Sequence, residues 1–203
     1  MLKCEALKLR NGEKYCLPII YINQINLHED MEKQLNLKTV KEDLKKAKEI
    51  IELNDRQISN ELKELDFGAK LQMVHTTKEL YLNQNKINDL SFIKGMQALA
   101  ILHANSNEIE EMGEIPSCLE ELVLMNNKID KIGNLINAKQ LQILNLGSNK
   151  ISKIENIEHL EKLSRLYLAC NQIEKIEGLP KSLVKLGLNS NKIKRMENLS
   201  HLT

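Results

Sequence analysis

The chain has 203 residues, 42% apolar content and a formal net charge of +1. A nearly neutral chain with mixed Lys and Glu excludes a dominant electrostatic footprint for nucleic acid or membrane, because both need a concentrated basic face. No apolar run approaches the roughly 18 residues that span a bilayer, and the N-terminus lacks the apolar stretch of a signal peptide, so we expect a cytoplasmic protein.

Four cysteines are present, and none of them forms a C-x-x-C pair. They are Cys4, Cys16, Cys118 and Cys170. This spacing predicts free thiols in a reducing compartment rather than a disulfide-bonded or zinc-binding cap.

Residues 1–61 differ in composition from the rest and are predicted to form an N-terminal cap. Residues 6–17 place Asn11-Gly12 between two alternating runs, which predicts a β-hairpin. Residues 39–53 begin with a capping box, and their apolar residues recur every three or four positions, which predicts an amphipathic helix. We expect this helix to dock on the open end of the repeats that follow. A coiled coil is the alternative, and two heptads are short for one.

Residues 62–203 are repetitive. The first segment, residues 62–72, has apolar residues at the repeat spacing but Lys70 where an asparagine is expected, and we interpret it as a degenerate first strand. Six copies of L-x-x-L-x-L-x-x-N-x-I follow, and their asparagines recur at nearly constant intervals. These are Asn85, Asn107, Asn127, Asn149, Asn171 and Asn191.

A polar amide at one fixed position of an apolar pattern predicts a structural role. We expect each asparagine to be buried, with its donors and acceptor satisfied by the backbone of neighbouring turns. Repeat periods of roughly this length with this spacing of leucine and asparagine are typical of leucine-rich repeats, in which each copy contributes one short strand to a parallel sheet.

The segments after the asparagines predict the other side of each repeat. Apolar residues recur every third position in the 22-residue copies, which predicts a 3₁₀-like or extended path. The two 20-residue intervals contain Pro116 and Pro180, so we expect an extended crossing there. The sequence stops at Thr203, where another strand would begin, and we expect either a fragment or a partner that covers the edge.

The stretch LQILNLGSNKISKIENIEHL, residues 141–160, resembles the 22-residue class of intracellular leucine-rich repeats. That class includes a regulatory subunit of protein phosphatase 1, the leucine-rich light chain of axonemal dynein and many ciliary scaffold proteins. The resemblance covers about residues 62–203. It implies a right-handed solenoid with a concave parallel sheet that binds another protein without catalysis. Together with the predicted N-terminal hairpin and helical cap, we expect an α/β fold.

Alternation along each strand sends the residues between the leucines to the concave surface. Neighbouring apolar residues on that surface favour a partner contact, although β-branched residues also favour strands without any such role. Charge runs from Glu79 and Glu121 to Arg165 and Lys185, which favours an oriented partner. The candidate partner-binding residues are Tyr81, Ile101, His103, Val123, Met125, Ile143, Asn145, Arg165, Tyr167 and Lys185.

The motifs of enzymes are missing from the sequence. The five histidines occur singly, without metal-ligand spacing, and there is no glycine-rich phosphate loop. We therefore expect no catalytic residues, cofactor, metal or small-molecule substrate, and we interpret His103 as a contact residue.

The resemblance favours a scaffold subunit of a cytoskeletal or ciliary assembly, such as an axonemal, dynein-associated complex. The alternative is a reversible regulatory subunit of an enzyme such as a protein phosphatase. Phosphatase-binding relatives carry acidic and aromatic residues, including Trp, on the concave side. This chain has no Trp, which disfavours the alternative.

Overall fold

A computed structural model describes residues 50–52, 54 and 76–200. Seven strands of three residues each form one parallel sheet whose order follows the sequence. They are β1 Ile50–Glu52, β2 Glu79–Tyr81, β3 Ile101–His103, β4 Glu121–Val123, β5 Ile143–Asn145, β6 Arg165–Tyr167 and β7 Lys185–Gly187.

The register of the sheet stacks equivalent residues of successive repeats. Leu80 pairs with Leu102, Leu102 with Leu122, and the same pairing continues to β7. The central leucines of β2 to β6 are buried, because successive side chains of a strand point to opposite faces. The residues on either side of each central leucine therefore form the opposite face of the sheet.

The core is one continuous apolar cluster that runs through every repeat between residues 80 and 183. Each repeat adds leucines from its strand and isoleucine, leucine or methionine from the return segment. Burial of such side chains contributes roughly 1.5 to 3 kcal/mol each, so the stacked repeats stabilise one another through shared apolar contacts.

The asparagines form a hydrogen-bonded ladder between repeats. Asn127 Nδ2 donates to Ala104 O at 3.0 Å and to Leu124 O at 3.1 Å, and its Oδ1 accepts from Ile109 N at 3.1 Å. Asn107, Asn149, Asn171 and Asn191 make the equivalent bonds. The predicted role is confirmed.

Burial in every copy is not confirmed. Asn149 and Asn191 are half-buried, whereas the other four ladder asparagines are buried. All the same, both bond to carbonyls of their own repeat and the preceding one. Asparagine is therefore required at this position because its amide bonds to backbone groups, and not only because the side chain is buried.

Left-handed residues recur at two places, one in all six repeats and the other in the last five. The residue before each ladder asparagine has a φ between 55° and 59°. A second set lies on the return segment, at Gly113, Asn134, Asn156, Gly178 and Asn198, with φ between 59° and 64°. Glycine and asparagine tolerate this conformation best. The second set was not predicted, although its regular spacing is visible in the sequence.

The return segments match the predicted path. Ser91–Ile93 is a 3₁₀ helix. In the two proline-containing repeats, a turn closes from Leu119 N to Pro116 O at 3.2 Å and from Leu183 N to Pro180 O at 3.3 Å. The described return segments of these two repeats contain no regular helix, as expected for the two shorter repeats.

The N-terminal prediction was wrong in part. Residues 50–52, expected at the end of the helix over residues 39–53, form β1 and pair with β2. Asn54 Oδ1 accepts from Asn83 N at 2.7 Å, and Asn83 Oδ1 accepts from Asn105 N at 2.8 Å in the same way. Ile51 also continues the apolar residues Val40, Leu44 and Ala47 at helical spacing, which explains the error.

The strand beside β2 is therefore β1 and not the segment 62–72, and the sheet begins upstream of the predicted boundary at residue 62. The predicted hairpin at residues 6–17, the remainder of the predicted helix and the segment 62–72 itself lie outside the described residues.

The described residues form a parallel β-solenoid with almost no helix, so the α/β class and the N-terminal cap are not confirmed. Within this part of the chain there is no helix long and apolar enough to cross a membrane.

Candidate protein-binding face

The sheet face opposite the core is the candidate site. We call it the concave face and define it by the first and third residues of β1 to β7 together with the residue two positions after each strand. All ten predicted partner-binding residues lie on it. The ten residues therefore share one face of the sheet, and their role in binding stays a prediction.

Four side chains at the β2 to β4 end form a connected polar cluster. The Tyr81 hydroxyl donates to Glu79 Oε2 at 2.8 Å, and His103 Nε2 lies 2.8 Å from Glu121 Oε1. The rings of Tyr81 and His103 meet edge to face, with centroids 5.0 Å apart. Neighbouring strands hold these groups in one arrangement, so this end presents ordered acidic and aromatic side chains.

Burial raises the pKa of Tyr81 from 10.0 to about 12, and the hydrogen bond to Glu79 and the negative charges of Glu79, Glu121 and Glu52 act in the same direction. The phenol is therefore a neutral donor at physiological pH. Glu52 was not among the predicted site residues, because its strand was read as helix. In the sheet it is paired with Tyr81 and adds a carboxylate to this end.

The middle of the face is apolar but less exposed than predicted. Val123 is only 9% exposed, and Ile101 and Ile143 are half-buried. Interior strands have neighbours on both sides, and the flanking side chains cover short β-branched residues. Met125 is 39% exposed, and its Cγ lies 3.7 Å from the place where Gly147 would carry a Cβ. Met125 is therefore the main accessible apolar contact.

The β6 to β7 end is basic. Arg165 and Lys185 are exposed, and neither makes an ion pair with another described residue. Lys185 Nζ lies 5.5 Å from the centroid of the Tyr167 ring, a cation–π distance. Gly187 makes room for that ring, since a Cβ there would lie 3.2 Å from Tyr167 Cδ1.

The polar groups of the cluster at the β2 to β4 end bond to one another. His103 is occupied by Glu121 and packs on Tyr81, and within the described residues the cluster has no serine, cysteine or threonine nucleophile bonded to it. Among residues 50–52, 54 and 76–200, no three metal-ligating side chains group together. The face offers an open row of polar, apolar and cationic groups.

The geometry agrees with known proteins of one fold. A model of leucine-rich repeats in two copies matches residues 139–181. The leucine-rich repeat domain of APL1 superposes with a TM-score of 0.63 at 21% identity, over 75% of this chain and 40% of that one. The fold is a leucine-rich-repeat solenoid.

Two further solved structures share this leucine-rich-repeat solenoid. A leucine-rich-repeat protein of Leptospira interrogans has a TM-score of 0.62 at 24% identity, over 78% of this chain and 41% of that chain. TLR13, in a complex with ssRNA13, has a TM-score of 0.64 at 21% identity, over 78% of this chain and 24% of that one. The chain thus spans less than half of each, and no curated protein sequence matches it.

Proposed function

We propose that the chain is a non-enzymatic scaffold that binds a protein partner through the concave face. Leucine-rich-repeat domains generally mediate protein–protein interaction. The observation that carries the proposal is the row formed by exposed Met125, half-buried Tyr167 and the cations Arg165 and Lys185 on one open sheet face. Tyrosine, arginine and methionine are the side chains enriched at protein interfaces.

We place this scaffold in an intracellular cytoskeletal or ciliary assembly, such as an axonemal complex associated with dynein. Support comes from the 22-residue repeat pattern of residues 141–160, which resembles that class, and from the absence of C-x-x-C pairs in the sequence.

A regulatory subunit of an enzyme such as a protein phosphatase is the second candidate. The finding of Glu52 beside Tyr81 favours it, because the acidic and aromatic character of the β1 to β4 end is greater than the sequence suggested. The identity of the partner separates the candidates. Recovery only with a phosphatase catalytic subunit, and never with cytoskeletal proteins, would contradict the scaffold role.

The test uses the tagged full chain, purified from its native cell together with bound proteins. Met125→Asp places a charge at the accessible apolar contact and is expected to remove the partner. Ile136→Asp is the matched control, because Ile136 is 68% exposed and lies outside the concave face. Equal recovery of the partner by both variants contradicts the proposal, provided that both melt at the wild-type temperature.

A further inference from the structure

The concave face reverses its charge along the solenoid. The first residues of β2 to β7 are Glu79, Ile101, Glu121, Ile143, Arg165 and Lys185. The column therefore begins acidic, is apolar at β3 and β5, and ends basic. Because successive parallel strands lie about 4.8 Å apart, the two signs are separated along the axis rather than paired.

A second column also reverses its charge, between the second and third repeats. The residue four positions after each ladder asparagine is acidic at Asp89 and Glu111 and then basic in the four remaining repeats, at Lys131, Lys153, Lys175 and Arg195. Asp89 and Glu111 form a parallel bridge, so the column is in register where it begins.

The whole described solenoid shares this polarity. Residues 76–125 contain three Lys or Arg against eight Asp or Glu, and residues 126–200 contain thirteen against seven. Two separate columns and the overall charge thus change sign near the middle of the solenoid. The net charge of +1 conceals this separation. An extended dipole of this kind orients a charged partner during its approach.

The shape of the concave face favours a helix as the occupant. Its strands are three residues long, roughly 10 Å at 3.3 Å per residue, and a helix with side chains is about 10 to 12 Å wide. An extended segment laid across the strands would leave its own backbone groups unpaired, because those of the sheet already bond between neighbouring strands. A helix satisfies its backbone internally.

We propose that the partner lays one amphipathic helix along the concave face, with a basic segment over Glu79 and Glu121, an apolar turn at Met125 and an acidic segment over Arg165 and Lys185. This inference rests on the proposed function and specifies its ligand. The span from β2 to β7 is five strand spacings, about 24 Å, which a helix of about 16 residues covers.

The two ends contribute unequally. Glu121 is bonded to His103 and Glu79 to Tyr81, whereas Arg165 and Lys185 have no carboxylate partner among the described residues. A carboxylate of the partner helix can bind Arg165 and Lys185 without competition from a carboxylate of the described chain. A cation of the helix at the other end must compete with Tyr81 and His103 for Glu79 and Glu121. The β6 to β7 end should therefore dominate the affinity.

The first experiment measures fluorescence anisotropy with two synthetic 16-residue peptides of identical composition. One has a lysine block, a leucine-rich middle and a glutamate block, and the other alternates lysine and glutamate around the same middle. We expect the block peptide to bind about tenfold more tightly, the size of four exposed charge interactions. Equal affinities, or no binding of either peptide, overturn the inference.

The second experiment reverses the charges of the protein. R165E/K185E should weaken binding of the block peptide about tenfold. K139E/K150E makes the same charge change at exposed lysines outside the concave face and outside both columns, and it should weaken binding by less than about threefold. The fourfold variant E79K/E121K/R165E/K185E has the charge polarity of the concave face reversed. It should recover most of the lost affinity when the order of the lysine and glutamate blocks in the peptide is also reversed. Equal weakening by the two double variants, or no recovery by a fourfold variant that melts cooperatively, overturns the inference.

If the fourfold variant does not fold, the comparison of the two peptides on the wild-type protein decides.

The outcome for the native partner separates this inference from the proposed function. Loss of that partner with Met125→Asp but not with R165E/K185E supports a concave interface and contradicts the charge polarity. Retention with Met125→Asp contradicts the interface itself.

Discussion

At the scale of single residues, the ladder asparagines are the strongest link between sequence and structure. From Asn107 onwards, each joins its own repeat to the preceding one through both halves of its amide, as Asn127 does with Ala104, Leu124 and Ile109. Only asparagine has a donor pair and an acceptor on a side chain short enough for this position. The column therefore serves stability, and the candidate binding residues lie elsewhere in each repeat.

Replacing Asn127 by alanine should lower the free energy of unfolding by about 2 to 4 kcal/mol, because it leaves the buried backbone N–H of Ile109 unsatisfied and removes one of the two amide donors from Ala104 O and from Leu124 O. Urea unfolding measures this. Asn137→Ala is the control, since Asn137 is exposed and should cost less than about 0.5 kcal/mol. Equal losses in the two variants would show that the ladder has no special energetic role.

Tyr81 provides a prediction for pH. Its pKa of about 12 in the folded state lies above the usual 10.0, so its contribution to stability is fully present below pH 10 and is lost as pH rises towards 12. The absorbance of tyrosinate near 295 nm, taken as wild type minus Tyr81→Phe, should titrate with a midpoint near 12. A midpoint near 10 in the folded protein contradicts the buried, Glu79-bonded phenol.

Cys118 has a structural role that its lone position did not reveal. Its thiol donates to Met96 O at 3.4 Å and to Leu99 O at 3.2 Å, and Ser182 donates to Leu160 O and Leu163 O in the other proline-containing repeat. Two different side chains thus bond the turn of the preceding repeat in the same way.

Because a hydroxyl is the stronger donor, Cys118→Ser should keep or raise the free energy of unfolding, and Cys118→Ala should lower it by about 1 kcal/mol. Chemical denaturation of the two variants gives the comparison. An alanine variant at least as stable as the serine variant would mean that these two hydrogen bonds contribute nothing.

At the scale of elements, the return segments depend on left-handed turns. Gly178 has a φ of +64°, and a Cβ there would lie 2.9 Å from Ile154 O. Asparagine fills the equivalent position at Asn156 and Asn198 and donates to a carbonyl of the preceding repeat, at 2.7 Å and 2.6 Å. Each of these turns is therefore fitted either by a glycine or by an amide that bonds across repeats.

Gly178→Ala should lower stability by about 1 to 3 kcal/mol through strain and the close carbonyl. Gly133→Ala is the matched control, because nothing lies within 4 Å of its Cβ position and its φ is not left-handed, so it should be neutral or stabilise by up to about 1 kcal/mol. Thermal melting of both variants tests the pair, and similar melting temperatures would refute the strain.

The sequence predicted β2 to β7, their register and the side of the sheet that each residue occupies, because the period of the leucines and asparagines determines all three. It did not predict β1. That strand pairs Ile50 with Glu79 across an interval longer than the repeat period, and so short an alternation cannot be distinguished from a helical stripe. The sequence also did not predict how exposed each side chain is. Val123 is only 9% exposed, because residues of the adjacent repeats cover it.

At the scale of the whole molecule, the core and the candidate binding residues lie on opposite faces of the sheet. The apolar cluster and the ladder join each repeat to its neighbours, and the ten candidate binding residues belong to neither. The concave face can therefore vary between solenoids of one fold, and here it combines an acidic and aromatic end, Met125 and a basic end. Because of this separation, the spacing of leucines and asparagines predicts the fold but does not predict the partner.

Site-specific photo-crosslinking in the native cell tests whether a partner protein binds at the concave face. A photoreactive amino acid replaces Met125 in one variant and Ile136, exposed on another surface, in the second. We predict a discrete crosslinked protein adduct from position 125 and none of the same mass from position 136. The same adduct from both positions, or from position 136 alone, would contradict the account.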